Sequence, residues 1–142
     1  MIIDTSVLFA AANSRDSNHA ACSAIIVEGI GPLTIPALVL AEATYLVGTT
    51  LGPSAETALL RSVATNRFEV IGPTREDLVR MASLASTYED LPLGATDASI
   101  VALAERLGVQ TIATLDRRHF TVVKSELFPF TLLPSTIEPS RR

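Results

Sequence analysis

Three observations predict an α/β fold, a three-layer α/β/α sandwich with a central parallel sheet. Short apolar runs at 1–3, 33–35, 68–71, 109–114 and 130–133 alternate with longer segments of helical spacing. Such alternation calls for parallel strands joined by right-handed crossovers, with helices covering both faces. A chain of 142 residues suits one domain that buries about two thirds of its unfolded surface. No repeat, linker or low-complexity segment divides it, so one domain is expected over 1–134, with 135–142 as a C-terminal tail.

The first strand, Met1-Ile2-Ile3, ends at Asp4, and Thr5 and Ser6 bring N-cap chemistry to a helix through Val7 and Ala12. From Ser17 to Glu28, Ala20, Ala21, Ala24 and Ile25 recur at helical spacing; Gly29 and Gly31 close that helix before a strand at Leu33-Thr34-Ile35. Pro36 suits the first turn of a helix running to about Thr49, which is apolar on most faces and therefore expected to be buried, with Glu42 in its first half. Gly52-Pro53 breaks it. Ser54 opens the next helix, striped by Ala55, Ala58, Leu59, Ser62 and Val63. Phe68-Glu69-Val70-Ile71 reads as a strand ended by Gly72-Pro73, and Thr74 with Asp77 forms a capping-box pattern for a helix through Leu78, Met81, Ala82 and Ala85. Glu89 to Gly94 is a loop. Thr96 is expected to cap a helix striped by Ile100, Val101, Ala104 and Leu107 and closed by Gly108, which puts Asp97 in its first turn. A strand over 109–114, a loop over 116–120 and a last strand at 130–133 complete the order.

Composition narrows the class of partner. A hydrophobic content of 48% exceeds what a solvated monomer needs, so a homodimer or a complex is expected. The apolar helices between Ala37 and Leu60 are the expected groove for a partner. Apolar runs are broken well before the ~20 residues that span a bilayer, and no basic region precedes the first of them, so a cytoplasmic protein without a membrane association is expected. Cys22 is the single cysteine; it excludes an intramolecular disulfide and a cysteine-based metal site and reads as a small core residue on a helix. A net charge of -4, with Lys124 the one lysine, argues against nucleic acid as a partner, unless bound metal cancels a local acidic cluster and leaves Arg15, Arg117 and Arg118 to meet phosphate.

Such a cluster is visible. Asp4, Glu42, Asp97 and Asp116 each lie in or against apolar segments, where an isolated carboxylate neutralises by raising its pKa and converging ones repel each other. A divalent cation is the simplest remedy. Asp4 and Asp116 end strands, Asp97 opens a helix, and in a parallel sheet these positions gather at one cleft. Hard cations such as Mg²⁺ or Mn²⁺ take carboxylate and water oxygens, and the hydroxyls of Thr5, Ser6, Thr96 and Thr114 are placed to orient them. This chemistry suits phosphodiester hydrolysis by a metal-activated water. Taken singly, Asp4 reads equally as an N-cap, Asp97 as a helix-dipole partner and Asp116 as a loop ion pair. Glu42, in an almost wholly apolar helix, is the hardest to explain as structure alone.

With these residues in view, the chain resembles the PIN-domain ribonucleases, and most closely the VapC-type toxin half of type II (VapBC) toxin-antitoxin pairs, over nearly its whole length. The features are Ile-Ile-Asp4-Thr-Ser, Pro36 to Glu42 in a helix, Thr96-Asp97-Ala98-Ser99-Ile100-Val101-Ala102, and Thr111-Ile112-Ala113-Thr114-Leu115-Asp116-Arg117-Arg118-His119-Phe120. The resemblance implies a metal-dependent endoribonuclease and a homodimer neutralised by a VapB-type antitoxin. It further implies a site of Asp4, Glu42, Asp97 and Asp116, with Asp4 and Asp97 as the surest metal ligands and Ser6 and Thr114 supporting them. Arg117 and Arg118 read equally as RNA contacts or as exposed cations. Asp90 is more readily a solvated loop acid, and His19 and His119 are read as structural or surface residues.

Two rivals are weighed. A phosphoaspartate enzyme using Asp4 would want an acid at position 6, which is Ser, or a lysine just after a later strand, where Lys124 falls too far on. A catalytically silent module of the same fold, acting through an antitoxin, remains the alternative.

Overall fold

The computed structural model describes residues 1–136. Within it five strands, β1 (Ile2–Ile3), β2 (Leu33–Pro36), β3 (Phe68–Ile71), β4 (Thr111–Ala113) and β5 (Thr131–Leu133), form one parallel sheet in the order β3-β2-β1-β4-β5. The helices α1 (Thr5–Ala12), α2 (His19–Glu28), α3 (Ala37–Leu51), α4 (Pro53–Val63), α5 (Arg75–Thr87), α6 (Ala95–Leu107) and α7 (Arg117–Val122) connect them. The three-layer arrangement expected from the alternation of short and long segments is the one found. Ile2, Ile3, Leu33, Ile35, Ile112 and Ala113 are fully buried, as strands covered on both faces require.

The chain winds outward from β1 through β2 to β3, then returns to the other side of β1 for β4 and β5. The order therefore reverses between β1 and β4, and ligand sites in open parallel sheets lie at the carboxyl ends beside such a reversal. The register pairs Ile2 with Ile112 and Ile3 with Ala113, and Asp4 N–H extends that ladder by donating to the Ala113 carbonyl at 2.9 Å. The next residues on each strand, Asp4 and Thr114, are thus lateral neighbours.

Local chemistry sets the boundaries. Thr74 and Asp77 complete the capping box of α5, Asp77 Oδ2 accepting from Thr74 N at 2.9 Å and Thr74 Oγ1 from Asp77 N at 3.2 Å. Gly108 closes α6 at φ 65°, a left-handed conformation that costs a residue with a Cβ. Cys22 is buried on α2, and desolvation, with Asp16 as a smaller cause, pushes its thiol up to about 11.

Four expectations need correction. The helix at 37–49 is not buried all round: Val39, Ala43 and Val47 face inward, while Tyr45 and Leu46 are 68% and 36% exposed. Its neighbours α1, α4 and α6 cover one side only, so its apolar composition is not a measure of burial. Pro36 closes β2 rather than opening the helix, which begins at Ala37. Thr96 does not cap α6; Gly94 holds that position and Thr96 lies inside the helix. Residues 117–122 form α7 instead of a loop, with Asp116 at its N-cap position and Phe120 buried beneath it. Of the tail expected at 135–142, residues 137–142 lie outside the described residues.

Candidate active site

Asp4 is fixed by its place between strand and helix. It ends β1 and is the N-cap of α1, Oδ1 accepting from Thr5 N at 2.7 Å. Oδ2 accepts from Thr114 Oγ1 at 2.7 Å and Ser6 Oγ at 3.1 Å. The N-cap reading of Asp4 is therefore correct and does not compete with a role in the cleft, because Oδ1 accepts one hydrogen bond and keeps a lone pair to spare. Ser6 and Thr114 serve two strand ends at once: Ser6 Oγ also accepts from Leu115 N at 2.9 Å, and Thr114 Oγ1 from Asp116 N at 3.0 Å.

Glu42, Asp97 and Asp116 meet Asp4 around a cleft of about 280 Å³, lined also by Thr5, Ser6, Phe9 and Leu46. Glu42 is exposed on α3 and accepts from Thr5 Oγ1 at 2.7 Å through Oε2. Burial thus does not account for this glutamate, contrary to the sequence argument; it stands on the rim, held by Thr5. Asp97 sits in the first turn of α6 with its side chain 22% exposed, and Asp116, just past β4, is 59% exposed.

The electrostatics are those of crowded acids. Burial raises the pKa of Asp4, an effect opposed by its donors Thr114, Thr5 and Ser6 and reinforced by Glu42. Asp97 is pushed up to about 6, first by desolvation and then by the charge of Asp4, with Asp116 and Glu42 adding to the rise and His119 opposing it. His119 was read as structural or surface, yet its Nδ1 lies 2.9 Å from Asp97 Oδ2 and 3.8 Å from Asp116 Oδ2. The ring is turned so that the shorter contact is an ion-pair approach without an aligned hydrogen bond, and Nδ1 is buried with no hydrogen-bond partner among the described residues. Its position three residues after Asp116 was the available signal, since that spacing shares a helix face once 117–122 is helical.

Among the described residues, no three His, Cys, Asp or Glu side chains are drawn close enough to hold a metal ion as they stand. Thr5 engages Glu42, and His119 lies against Asp97. Donor type and charge nonetheless fit a hard divalent cation: an all-oxygen set, partly desolvated and mutually repelling.

Other predicted residues lie apart from this cleft. Arg117 Nη1 donates to the Pro134 carbonyl at 2.7 Å, which ties it to the chain beyond β5. Arg118 is exposed on α7, and Asp90 is exposed in the turn between α5 and α6. His19 contacts the Ala10 carbonyl through Nδ1 at 3.0 Å, a link between α1 and α2.

Residues 1–125 match the PIN domain. Ribonuclease VapC26 of Mycobacterium tuberculosis is 39% identical over 124 residues, 87% of this chain and 92% of that protein. The crystal structure of Mycobacterium tuberculosis VapC20, a Sarcin-Ricin loop cleaving toxin, is similar with a TM-score of 0.77 at 18% identity, over 82% of this chain and 90% of that one. VapBC2 from Rickettsia felis, bound to a DNA fragment from its promoter, gives a TM-score of 0.68 at 19% identity, over 92% and 95%.

Proposed function

The chain belongs to the PIN-domain family, and from that premise we propose that it is a VapC-type endoribonuclease, the toxic half of a toxin-antitoxin pair, acting with Mg²⁺ or Mn²⁺. The observation that carries this reading is the meeting of Asp4, Glu42, Asp97 and Asp116 on one cleft at the sheet's carboxyl edge, in a chain whose relative is named a ribonuclease. The unit assigned this activity is 1–134.

Asp4 and Asp97 are the residues that would hold the metal. When bound, a divalent cation supplies the positive charge these acids lack and makes water a nucleophile near neutral pH. Thr5, Ser6 and Thr114 keep Asp4 in one orientation. Among the described residues Glu42 accepts only at Oε2, from Thr5 Oγ1, which leaves Oε1 to accept a hydrogen bond from the attacking water. Asp116, the most exposed aspartate of the set, acts on the substrate side through water. Attack on phosphorus then expels the ribose oxygen in line, the water's proton passing to Glu42 and the leaving oxygen taking a proton from solvent, with positioning and charge doing most of the work. The same acids repel an RNA backbone until a cation is bound, which makes substrate entry itself metal-dependent.

The test is cleavage of structured and unstructured RNAs by antitoxin-free protein with Mg²⁺, Mn²⁺ or EDTA. Cuts should appear with metal and vanish with chelator and in Asp4→Asn. Cutting that persists in both conditions would sink the metal-nuclease reading, and a folded, metal-loaded protein that cuts nothing would favour the silent binding module.

The proposal includes a VapB-type antitoxin and a homodimer. An apolar cleft of about 290 Å³ lies between α1, α2 and α4, lined by Leu8, Ala11, Ile26, Ala58 and Leu59 among others. It fits an apolar antitoxin segment, so the groove expected over 37–60 is redrawn, with α4 kept as one wall and α1 and α2 supplying the rest. Ala58 is exposed, so Ala58→Glu should spare folding and RNA cleavage while abolishing co-purification of the antitoxin. An intact complex would refute this placement. Sedimentation velocity of the antitoxin-free protein over a concentration series tests the homodimer, for which a monomer at every concentration is the contrary result.

A further inference from the structure

We propose that His119 is a positioning residue of the acidic centre, holding the Asp97 carboxylate in the orientation in which it serves the cleft. The inference rests on the metal-dependent reading above. It begins from an asymmetry in how the acids are supported. Asp4 accepts from three donors and Glu42 from one, while the backbone of Asp116 is held by Thr114 Oγ1. The Asp97 carboxylate accepts no hydrogen bond among the described residues; the basic atom against it is His119 Nδ1, 2.9 Å from Oδ2. An aspartate side chain in a helix's first turn is otherwise free to rotate, and that freedom must be given up whenever the carboxylate binds a ligand.

His119 is built to remove that freedom. Its side chain is 14% exposed, and it projects from α7, which is pinned to the core by Phe120 (4% exposed) and, just past its end, Val123 (2%). Arg117 ties the start of the same helix to the Pro134 carbonyl. The imidazole is therefore held by rigid surroundings between two acids that come from different parts of the chain, Asp97 from α6 and Asp116 from the end of β4. A small rotation of the ring or of the carboxylate aligns the 2.9 Å approach into a hydrogen bond, and the buried, unpartnered Nδ1 has reason to make it. Groups that orient metal-binding side chains commonly cost 10–100-fold in metal affinity or activity when removed.

Calorimetric titration of metal-free protein with Mn²⁺ tests this, comparing wild type, His119→Ala, His119→Asn and Asp97→Asn, with circular dichroism to confirm folding. An Asn amide nitrogen falls close to the place of Nδ1, so His119→Asn keeps a donor there. Mn²⁺ affinity should drop about 10- to 100-fold in His119→Ala and largely return in His119→Asn. In RNA cleavage at sub-saturating Mn²⁺, kcat/KM should fall in His119→Ala and recover as Mn²⁺ is raised. Wild-type Mn²⁺ affinity in folded His119→Ala would overturn the proposal, as would equal losses in the two variants. Asp97→Asn separates the two ideas: if it loses Mn²⁺ binding but wild type cuts no RNA, the ribonuclease reading fails while His119 is still judged by the affinity ratio.

Discussion

Replacing Asp97 by Asn should stabilise the metal-free protein above about pH 6, although it removes a group assigned to the active site. In an unfolded chain Asp97 ionises near its ordinary 3.8, whereas in the fold its pKa is raised to about 6 by burial and by Asp4. Across that window the folded state keeps a proton that the unfolded state has released, so stability falls as pH rises from about 4 to 6, and the loss persists at pH 7. At about 1.4 kcal/mol per pH unit, the displacement sets an upper bound of roughly 3 kcal/mol. Water reaching the 22% exposed side chain lowers this to on the order of 1–2 kcal/mol. Asn carries no charge to desolvate, and its Oδ1 can accept from His119 after the same small rotation. Urea unfolding of EDTA-treated wild type and variant at pH 4, 5, 6 and 7 measures the difference. Glu105, whose pKa is lowered mainly by Arg80 against the opposing effect of burial, gives both proteins the opposite trend and cancels in the comparison. The two should have similar stability near pH 4 and diverge by pH 6, with Asp97→Asn the more stable. A variant less stable than wild type at pH 7, or a difference that ignores pH, would refute the electrostatic account of this site.

Thr114→Val should cost about 1–3 kcal/mol in urea unfolding, because the buried hydroxyl donates to Asp4 and accepts from Asp116 N and both would lose a partner; Thr114→Ser should recover most of it and most of the cleavage activity. Equal stability of Thr114→Val and wild type would contradict the linkage. Arg67 donates to the carbonyls of Ile26, Val27, Gly29 and Gly31, clasping the end of α2. Arg67→Ala should lower stability by about 1–3 kcal/mol while cleavage at low temperature is unaffected, and a loss of activity in the folded variant would show that the clasp does more than hold α2.

The succession of strands and helices along the chain and the placement of the acids were legible because they rest on periodicity and end signals. Asp4 follows an apolar run, Gly108 closes α6 in the left-handed conformation, and Thr74 with Asp77 forms the capping box of α5. What escaped was decided by tertiary contact. Glu42 looked buried because its helix is apolar on most faces, yet α3 leaves Tyr45 and Leu46 at the surface, where composition cannot distinguish a core face from a partner's face. Residues 116–120 read as loop because the six residues of α7 are too few to show a helical period, and that helix is held by the burial of Phe120. His119 was missed for the same reason: its place between Asp97 and Asp116 exists only once that short helix forms. Arg117, which read equally as a phosphate contact or an exposed cation, donates Nη1 to the Pro134 carbonyl, a tertiary contact its sequence neighbours do not announce.

Anomalous scattering from crystals of the metal-free protein soaked in Mn²⁺ tests the central claim most directly, that four acids at the reversal between β1 and β4 form a divalent-metal centre. A peak in this cleft, bonded to carboxylate oxygens of Asp4 and Asp97, is expected in wild type and should be absent in Asp4→Asn. A cleft without a peak, at a Mn²⁺ concentration that supports RNA cleavage, would contradict that claim.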